Sequence, residues 1–487
     1  MKRIREVDTG TGKPVAENGA GSDGGEGHTE GVKTLLGDPR KAIIKLSIPM
    51  ILAMSVQSIY NLADAIWVSG LGTEALSAVG FFFPFFMMFI SVGVGLGIGG
   101  GAAISQRIGA RDRKGADSVA VHTMVMVLIL SVAFTVCMIP LAERMFSAMG
   151  ATGSLSMAVS YGQVMFLGIT FLFYSNVANA LLRAEGDAKR AMYAMLAGGV
   201  LNIVLDPVFI YTLDMGVAGA AWATVISLLL VSAVLTKWLF FDRDTYISLV
   251  FSNFRFVGRD LRDIFKVGLP AMVSQMSMAI MMFFMTIIIV KAGGEDGVAV
   301  FTTGWRIITM GILPLLGMGT AVVSVCGASF GEKAYDKMDI AYTYAIRTGF
   351  AVEMALVPLV FFFAPWIVRV FTWSGDTDRI ADDIVIFLRI ACFILPATSL
   401  GMLSGAMFQG AGRGMEALLI TLLRTIILAF PLAWVFGIAM DWGLVGVWAG
   451  LVIAFVMASL LALAWGKWFI HSLMQDSQST ASKKCHL

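Results

Sequence analysis

Two polar side chains one helical turn apart, inside an apolar stretch, are the first chemistry this chain offers. In GGVLNIVLDPVFIY (198–211), Asn202 and Asp206 stand at i and i+4 and project from one face, with Gly198 a further turn back. A carboxylate at mid-bilayer costs about 2.5–3.5 kcal/mol on insertion scales, and acids retained there mark ion pathways by default. The competing role is a protonated Asp that only bonds a neighbouring helix. A second stripe, Gln57, Tyr60, Asn61 and Asp64, falls at i, i+3, i+4 and i+7. It suits either a polar pathway or helix packing, with Asp64 near the interface beside Trp67. Tyr161 and Asn179 are 18 residues apart, five full turns, and so share a face that Asn176 extends. Thr224 and Ser227 add hydroxyls, which in membrane helices often bond only their own backbone. Together these are hard oxygen donors, suited to Na⁺ or to a shared proton. No Cys/His cluster suggests a transition metal, and the coupling ion is the only cofactor expected.

The helices that must position these groups carry their own weak points. Pro207 follows Asp206 directly and cannot donate to the carbonyl of Ile203, so that helix should loosen there. Pro49 leaves the same gap in the first span. Both are expected to act as hinges.

Composition places all of this in a membrane. Of 487 residues, 58% are hydrophobic and 14% charged, against about one quarter charged in soluble domains. The net charge of +2 gathers in loops and points to no nucleic-acid partner. Cys137, Cys326, Cys392 and Cys485 lack metal-ligand or disulfide spacing.

Residues 1–34 read as a polar, disordered cytoplasmic tail. Spans of roughly 20 apolar residues then fall near 43–68, 76–106, 118–141, 157–182, 190–213 and 217–241. After a polar linker at 242–263, six more follow near 264–291, 298–328, 340–368, 383–409, 415–438 and 444–470. The expected fold is all-α and polytopic, with twelve transmembrane helices in two six-helix lobes, 35–241 and 264–472, and a cytoplasmic tail at 473–487. Arg107, Arg111, Arg113 and Lys114, then Arg183, Lys189 and Arg190, then the linker arginines, set the orientation. The positive-inside rule puts both termini in the cytoplasm.

The halves repeat. KLSIP (45–49) recurs as KVGLP (266–270), and Ser105 with GARDRKGAD parallels Ser324 with GASFGEKAYD. RAEGDAKRA (183–191) matches FQGAGRGMEA (408–417), and GVAGAAW (216–222) matches GLVGVW (443–448). Six helices per half keep both copies in one orientation, a parallel repeat about the membrane normal, which places a substrate path between lobes. Aligning the repeats puts Met285 against Asp64 and Phe430 against Asp206, so these acids belong to one half only. The second half holds Arg306, Glu353, Arg389 and Arg424. Arg306 could neutralise Glu353, while Arg389 and Arg424 read as snorkelling anchors. The 31 Met and 34 Phe are lipid-facing or packing residues, although some can line a cavity for varied hydrophobic or cationic compounds.

The segments GDPRKAIIKLSIPMIL, YNLADAIWVSGLG, ISQRIGARDRKGAD, LLRAEGDAKRA and LNIVLDPVFIY resemble the multidrug and toxic compound extrusion (MATE) transporters. They are most similar to its DinF branch, which has prokaryotic and archaeal members. The resemblance covers residues 35–472. It implies a multidrug exporter of the cell membrane that antiports amphipathic or cationic organic compounds against Na⁺ or H⁺ by alternating access. It also implies a coupling site at Asp64, Asn202, Asp206 and Thr224, with Tyr60, Tyr161 and Asn179 nearby. The NorM-like branch relies on acids in helices seven and ten; here helix seven has none and helix ten has only Asp382 and Asp383 at its edge. A lipid or lipid-linked oligosaccharide flippase is the alternative, and it would want a basic cleft for its pyrophosphate. An enzyme would need a nucleophile or metal constellation, and the sequence has no HExxH, GxSxG or Walker-type loop. One repeat pair completes a cleft, so a monomer suffices.

Overall fold

The structure is a computed structural model in which residues 29–151, 153–242, 244–251, 254–371 and 379–485 are described. Those residues form fifteen α-helices and no strand. A short α1 (Glu30–Leu36) precedes α2 (Pro39–Ser69), α3 (Thr73–Gly109), α4 (Arg113–Ala148), α5 (Leu155–Ala184), α6 (Ala188–Pro207) and α7 (Gly216–Thr236). The second half comprises α8 (Gly258–Gly311), α9 (Leu313–Gly331), α10 (Tyr335–Phe371), α11 (Ala381–Ala391), α12 (Ile394–Gly410), α13 (Gly414–Leu422), α14 (Ala429–Trp434) and α15 (Gly443–Cys485).

Eleven continuous helical stretches among the described residues, one of them Gly414–Ala439 joining α13 and α14, are long and apolar enough to cross a membrane, and the pair α11–α12, bent by 48°, adds a twelfth. Within α8 the backbone leaves helical geometry at Gly293 and Gly294, the latter at φ 64°. A Cβ at Gly297 would meet Ile289 at 3.0 Å. A straight helix would hold those two residues about 12 Å apart, so the chain reverses here. The second limb of α8 therefore continues through α9 as one pass.

The repeated motifs are turns with a common design. Arg111 and Lys333 take positive φ (57° and 59°), as do Gly186 and Gly412 (88° and 74°), ending each helix in the left-handed conformation. Asp112 then caps α4 through the Gly115 N–H (2.9 Å) and Asp187 caps α6 through the Arg190 N–H (3.0 Å). All four turns share one end of the molecule with the basic loops. The linker docks at this end too: the Glu185 carboxylate accepts the N–H groups of Tyr246 (3.0 Å) and Ile247 (3.1 Å). Burial pushes Glu185 up to about 8 even against those two donors.

At this basic end the lobes are fused. One hydrophobic core runs through the N-lobe and on into Leu315–Ala328, Met338–Ile346 and Leu403–Ile420 of the C-lobe. A separate core, from Met281–Ile308 through Ala364–Leu395 to Ala429–Phe455, fills only the other half of the C-lobe. The contacts that join α2 and α3 to α8 and α9 are backbone-close at Gly95, Gly99, Gly109, Gly317 and Gly331. The Gln106 amide donates to the Gly410 carbonyl (2.7 Å), and the Ser324 hydroxyl to that of Arg183 (3.0 Å). The lobes are thus joined at the basic end, and their cores part towards the opposite one.

Three expected boundaries shift. The tail boundary at residue 34 falls inside α1, because Val32 and Leu35 are buried there and Thr29 caps it. The linker ends earlier, since α8 is already helical at Gly258, and α15 continues through the expected C-terminal tail to Cys485.

Candidate cation site and cleft

Glycine lets α6 approach α2. A Cβ at Gly199 would meet Tyr60 Cδ1 at 3.2 Å and Val56 at 3.5 Å, so the polar stripe of α2 lies directly against the α6 face that carries Asn202 and Asp206. Both of those residues are buried, Asp206 completely. The Asn202 amide donates to Asp206 Oδ1 (3.3 Å) and to Thr224 Oγ1 on α7 (3.3 Å). Both bonds are long, as expected where one NH₂ group is stretched between two acceptors.

What these bonds leave over matters more. Asn202 Oδ1 and Asp206 Oδ2 are buried with no hydrogen-bond partner, and so is Asn179 Oδ1 on α5. Asn179 spends its Nδ2 on the Ser175 carbonyl (2.8 Å). Orphaned buried acceptors are costly, about 1–3 kcal/mol each. All three are oxygens; the Asn202 and Asp206 pair, held together by the amide, is the one that a cation or a proton would satisfy.

The other expected residues arrange themselves around this cluster. Asp64 is half-buried and close enough to act electrostatically on Asp206, Tyr60 and Tyr161. Tyr161 is buried edge-on to Phe82, with ring centroids 5.3 Å apart. Asn176 is half-buried and its amide donates to the Leu172 carbonyl (2.8 Å). Gln57 and Asn61 are exposed, on the outer edge of the α2 stripe. The Ser227 hydroxyl is buried on α7 without a partner.

Pro207 closes α6, and the chain passes into a π-helical turn, Val208–Thr212, consistent with the carbonyl the proline strands. Pro49 leaves no such mark, since α2 runs unbroken across it. Sequence reasoning missed the tie beyond the proline. Tyr211 donates to the Trp67 carbonyl (2.6 Å), with the two rings edge-on at 6.2 Å, and so fastens the end of α6 to α2.

The C-lobe differs in kind. Met285 is fully buried in its core, and Phe430 stacks edge-on with Phe284 at 4.8 Å. The expected pairing of Arg306 with Glu353 does not form. Arg306 projects from the exposed side of a helix whose buried face carries Trp305, Ile307 and Ile308, and both Glu353 oxygens are buried without a partner. Arg389 is exposed over the Phe361 ring at 5.6 Å, as snorkelling requires. Arg424 is half-buried, with its Nε buried and unpartnered and its guanidinium carbon 5.2 Å from the Phe455 ring centroid. Breaking a buried ion pair costs about 3–5 kcal/mol, but Glu353→Gln strands no cation. Its melting temperature and detergent-extracted yield should match or exceed wild type; a fall of several degrees would reveal a partner.

The MatE family model matches residues 49–208 and 270–435, one segment per lobe, each beginning at the proline the two repeats share. The chain belongs to the MATE family. Among relatives of this MATE transporter, the multidrug export protein MepA of Staphylococcus saprophyticus is 27% identical over 434 residues, 87% of this chain and 92% of its own. A multidrug resistance MATE transporter solved in an outward-facing conformation is 47% identical with a TM-score of 0.89, covering 92% of this chain and 99% of that one. A transporter of the MOP superfamily from Pyrococcus furiosus, described with a binding pocket of reverse polarity that suggests a different function, is 48% identical. Its TM-score is 0.89, over 92% of this chain and all of that one. The protein is accordingly a multi-pass membrane transporter with the two-lobe MATE fold, and not an enzyme.

Proposed function

We propose that this MATE transporter exports amphipathic or cationic organic compounds across the cell membrane in exchange for Na⁺ or H⁺, with the coupling site in the N-lobe. The observation that carries the reading is the pair of unsatisfied buried oxygens on Asn202 and Asp206, joined through the Asn202 amide to Thr224, with Asp64 acting on Asp206. A cation entering there neutralises Asp206 and gives the orphaned acceptors a partner. With the basic end in the cytoplasm, a cleft that parts away from it faces outward, the state in which substrate leaves and the coupling ion enters. Discharging Asp64 and Asp206 removes the like-charge repulsion that opposes closer packing of α2 and α6. Their packing can then tighten, with Pro49 and Pro207 as the points that yield, and substrate is displaced outward. A monomer provides the whole path.

A flippase would need a basic cleft, whereas the residues lining the N-lobe here are acidic and amide. Purified protein in liposomes, assayed for efflux of a cationic dye under separately imposed Na⁺ and pH gradients, tests the proposal. Efflux driven by at least one gradient is expected; none under either would overturn it.

If both ions use these oxygens they compete, because each proton bound removes a carboxylate ligand. Apparent Na⁺ affinity should fall as the medium is acidified from about pH 8 to about pH 5. In Asp64→Asn/Asp206→Asn the affinity should be much weaker and nearly independent of pH. Wild-type Na⁺ binding that stays constant across that range would sink the shared site while leaving export itself standing.

A further inference from the structure

Within a membrane-spanning segment the C-lobe holds a half-buried arginine that the N-lobe cation chemistry does not use. Arg424 lies in the π-helical turn Leu423–Leu428, between α13 and α14. Its Nε is buried and has no hydrogen-bond partner. Its guanidinium carbon stands 5.2 Å from the centroid of the Phe455 ring on α15, and it forms no salt bridge with a described carboxylate. A cation–π contact contributes about 0.5–2 kcal/mol, short of the roughly 2.5–3.5 kcal/mol that an arginine costs at the middle of a membrane span. The charge therefore lacks a counter-ion.

Its place in the repeat gives that deficit a direction. Gly186 and Gly412, both at positive φ, turn the chain at matching points of the two lobes, and Arg424 lies as far beyond Gly412 as Gly198 lies beyond Gly186. Arg424 thus stands on the helix that in the N-lobe carries the cation site, six residues before Phe430, which the repeat sets against Asp206. The helix widens into a π-helical turn at Arg424 itself, Leu423–Leu428, a distortion frequent at functional sites that the matching stretch of α6 lacks.

We propose that Arg424 is an anion-binding residue of the C-lobe, taking the carboxylate, sulfonate or phosphate group of amphipathic compounds while the apolar bundle around Phe455 receives their hydrophobic part. The proposal goes beyond cation-coupled export of cationic compounds. It rests only on the space between the lobes being the substrate path.

The probe is anilinonaphthalene sulfonate, titrated by fluorescence into the purified full-length protein in neutral detergent. Arg424→Gln should weaken its binding at least about tenfold, since truncating one partner of a buried charge pair commonly costs that much or more. Arg424→Lys should retain most of it. Cationic-dye efflux by Arg424→Gln liposomes should stay at the wild-type rate, so loss of export and loss of anion binding are separate readouts. A second comparison needs no variant: wild type should bind the sulfonate at least about tenfold more tightly than the neutral N-phenylnaphthylamine. Displacement of the sulfonate by phosphatidylglycerol, with the same dependence on Arg424, would assign the site to a lipid oxyanion, and no displacement to a free amphipath. Equal affinities of wild type and Arg424→Gln, or of sulfonate and neutral analogue, would overturn the assignment.

Discussion

Asp206→Asn is expected to fold as wild type does and to lose coupled efflux entirely. The amide occupies the volume of the carboxylate, and its oxygen can still accept from Asn202, now at 3.3 Å from Asp206 Oδ1. No described cation pairs with Asp206, so its removal strands no opposite charge. What disappears is the one fully buried negative charge of the N-lobe cluster, with the oxygen, Oδ2, that has no other partner. Residues that merely support a metal ligand cost about 10–100-fold in affinity when changed, and a ligand itself should cost at least that. Dye efflux by Asp206→Asn liposomes should fall to that of empty liposomes under Na⁺ and pH gradients alike. Asp214→Asn is the control. It removes an exposed acid past the end of the same helix, at φ 52°, a conformation Asn tolerates, and should pump normally. A purified, monodisperse Asp206→Asn protein that still pumps at the wild-type rate would move the coupling site elsewhere.

The ease with which this site could be read from sequence has a local cause. Asn202 and Asp206 are i, i+4 neighbours, so any helix at all brings them together, and the hydropathy around them guarantees a helix. The turns of the repeat were equally legible, because a left-handed residue followed by an Asp cap is coded within a few positions, as in Gly186–Asp187. Contacts between helices were not. The bond from Asn202 to Thr224 was expected only through family resemblance, since the rotation of α7 against α6 leaves no periodic trace. The same blindness produced the false pairing of Arg306 with Glu353. Charge complementarity suggested it, but the direction of Arg306 is set by which face of α8 buries Trp305. The seven residues of α1 were invisible for another reason. EGVKTLL is too short to fold alone, and it is helical because Val32 and Leu35 have a core to enter.

The second large effect should come from a methyl group at the closed end. Gly109 and Gly331 are the last residues of α3 and α9, equivalent positions in the two lobes. A Cβ at Gly331 would fall on the carbonyl group of Gln106, and one at Gly109 on that of Ala328. In each case the obstacle is backbone, which cannot rotate aside as a side chain can, so the lobes themselves must give. Overpacking of this kind costs about 1–3 kcal/mol, which moves a two-state equilibrium by about 5- to 150-fold. Because only the closed state brings these backbones together, the cost falls on that state alone, and Gly331→Ala should open the basic end. Helix propensity pulls the other way, since alanine favours a helix over glycine by about 0.8–1 kcal/mol, so lost activity could not be assigned to a weakened α9. Ala411, 3% exposed beside Gln106 in the cavity at this end, reports the change. In an Ala411→Cys background, a membrane-impermeant maleimide should label the cysteine faster when Gly331→Ala is added, and dye efflux should drop. Gly80→Ala, where a Cβ meets nothing within 4 Å, should change neither. If Gly331→Ala instead labels and pumps like its parent, the two lobes absorb the methyl group without parting, and the glycine contacts are packing rather than the gate.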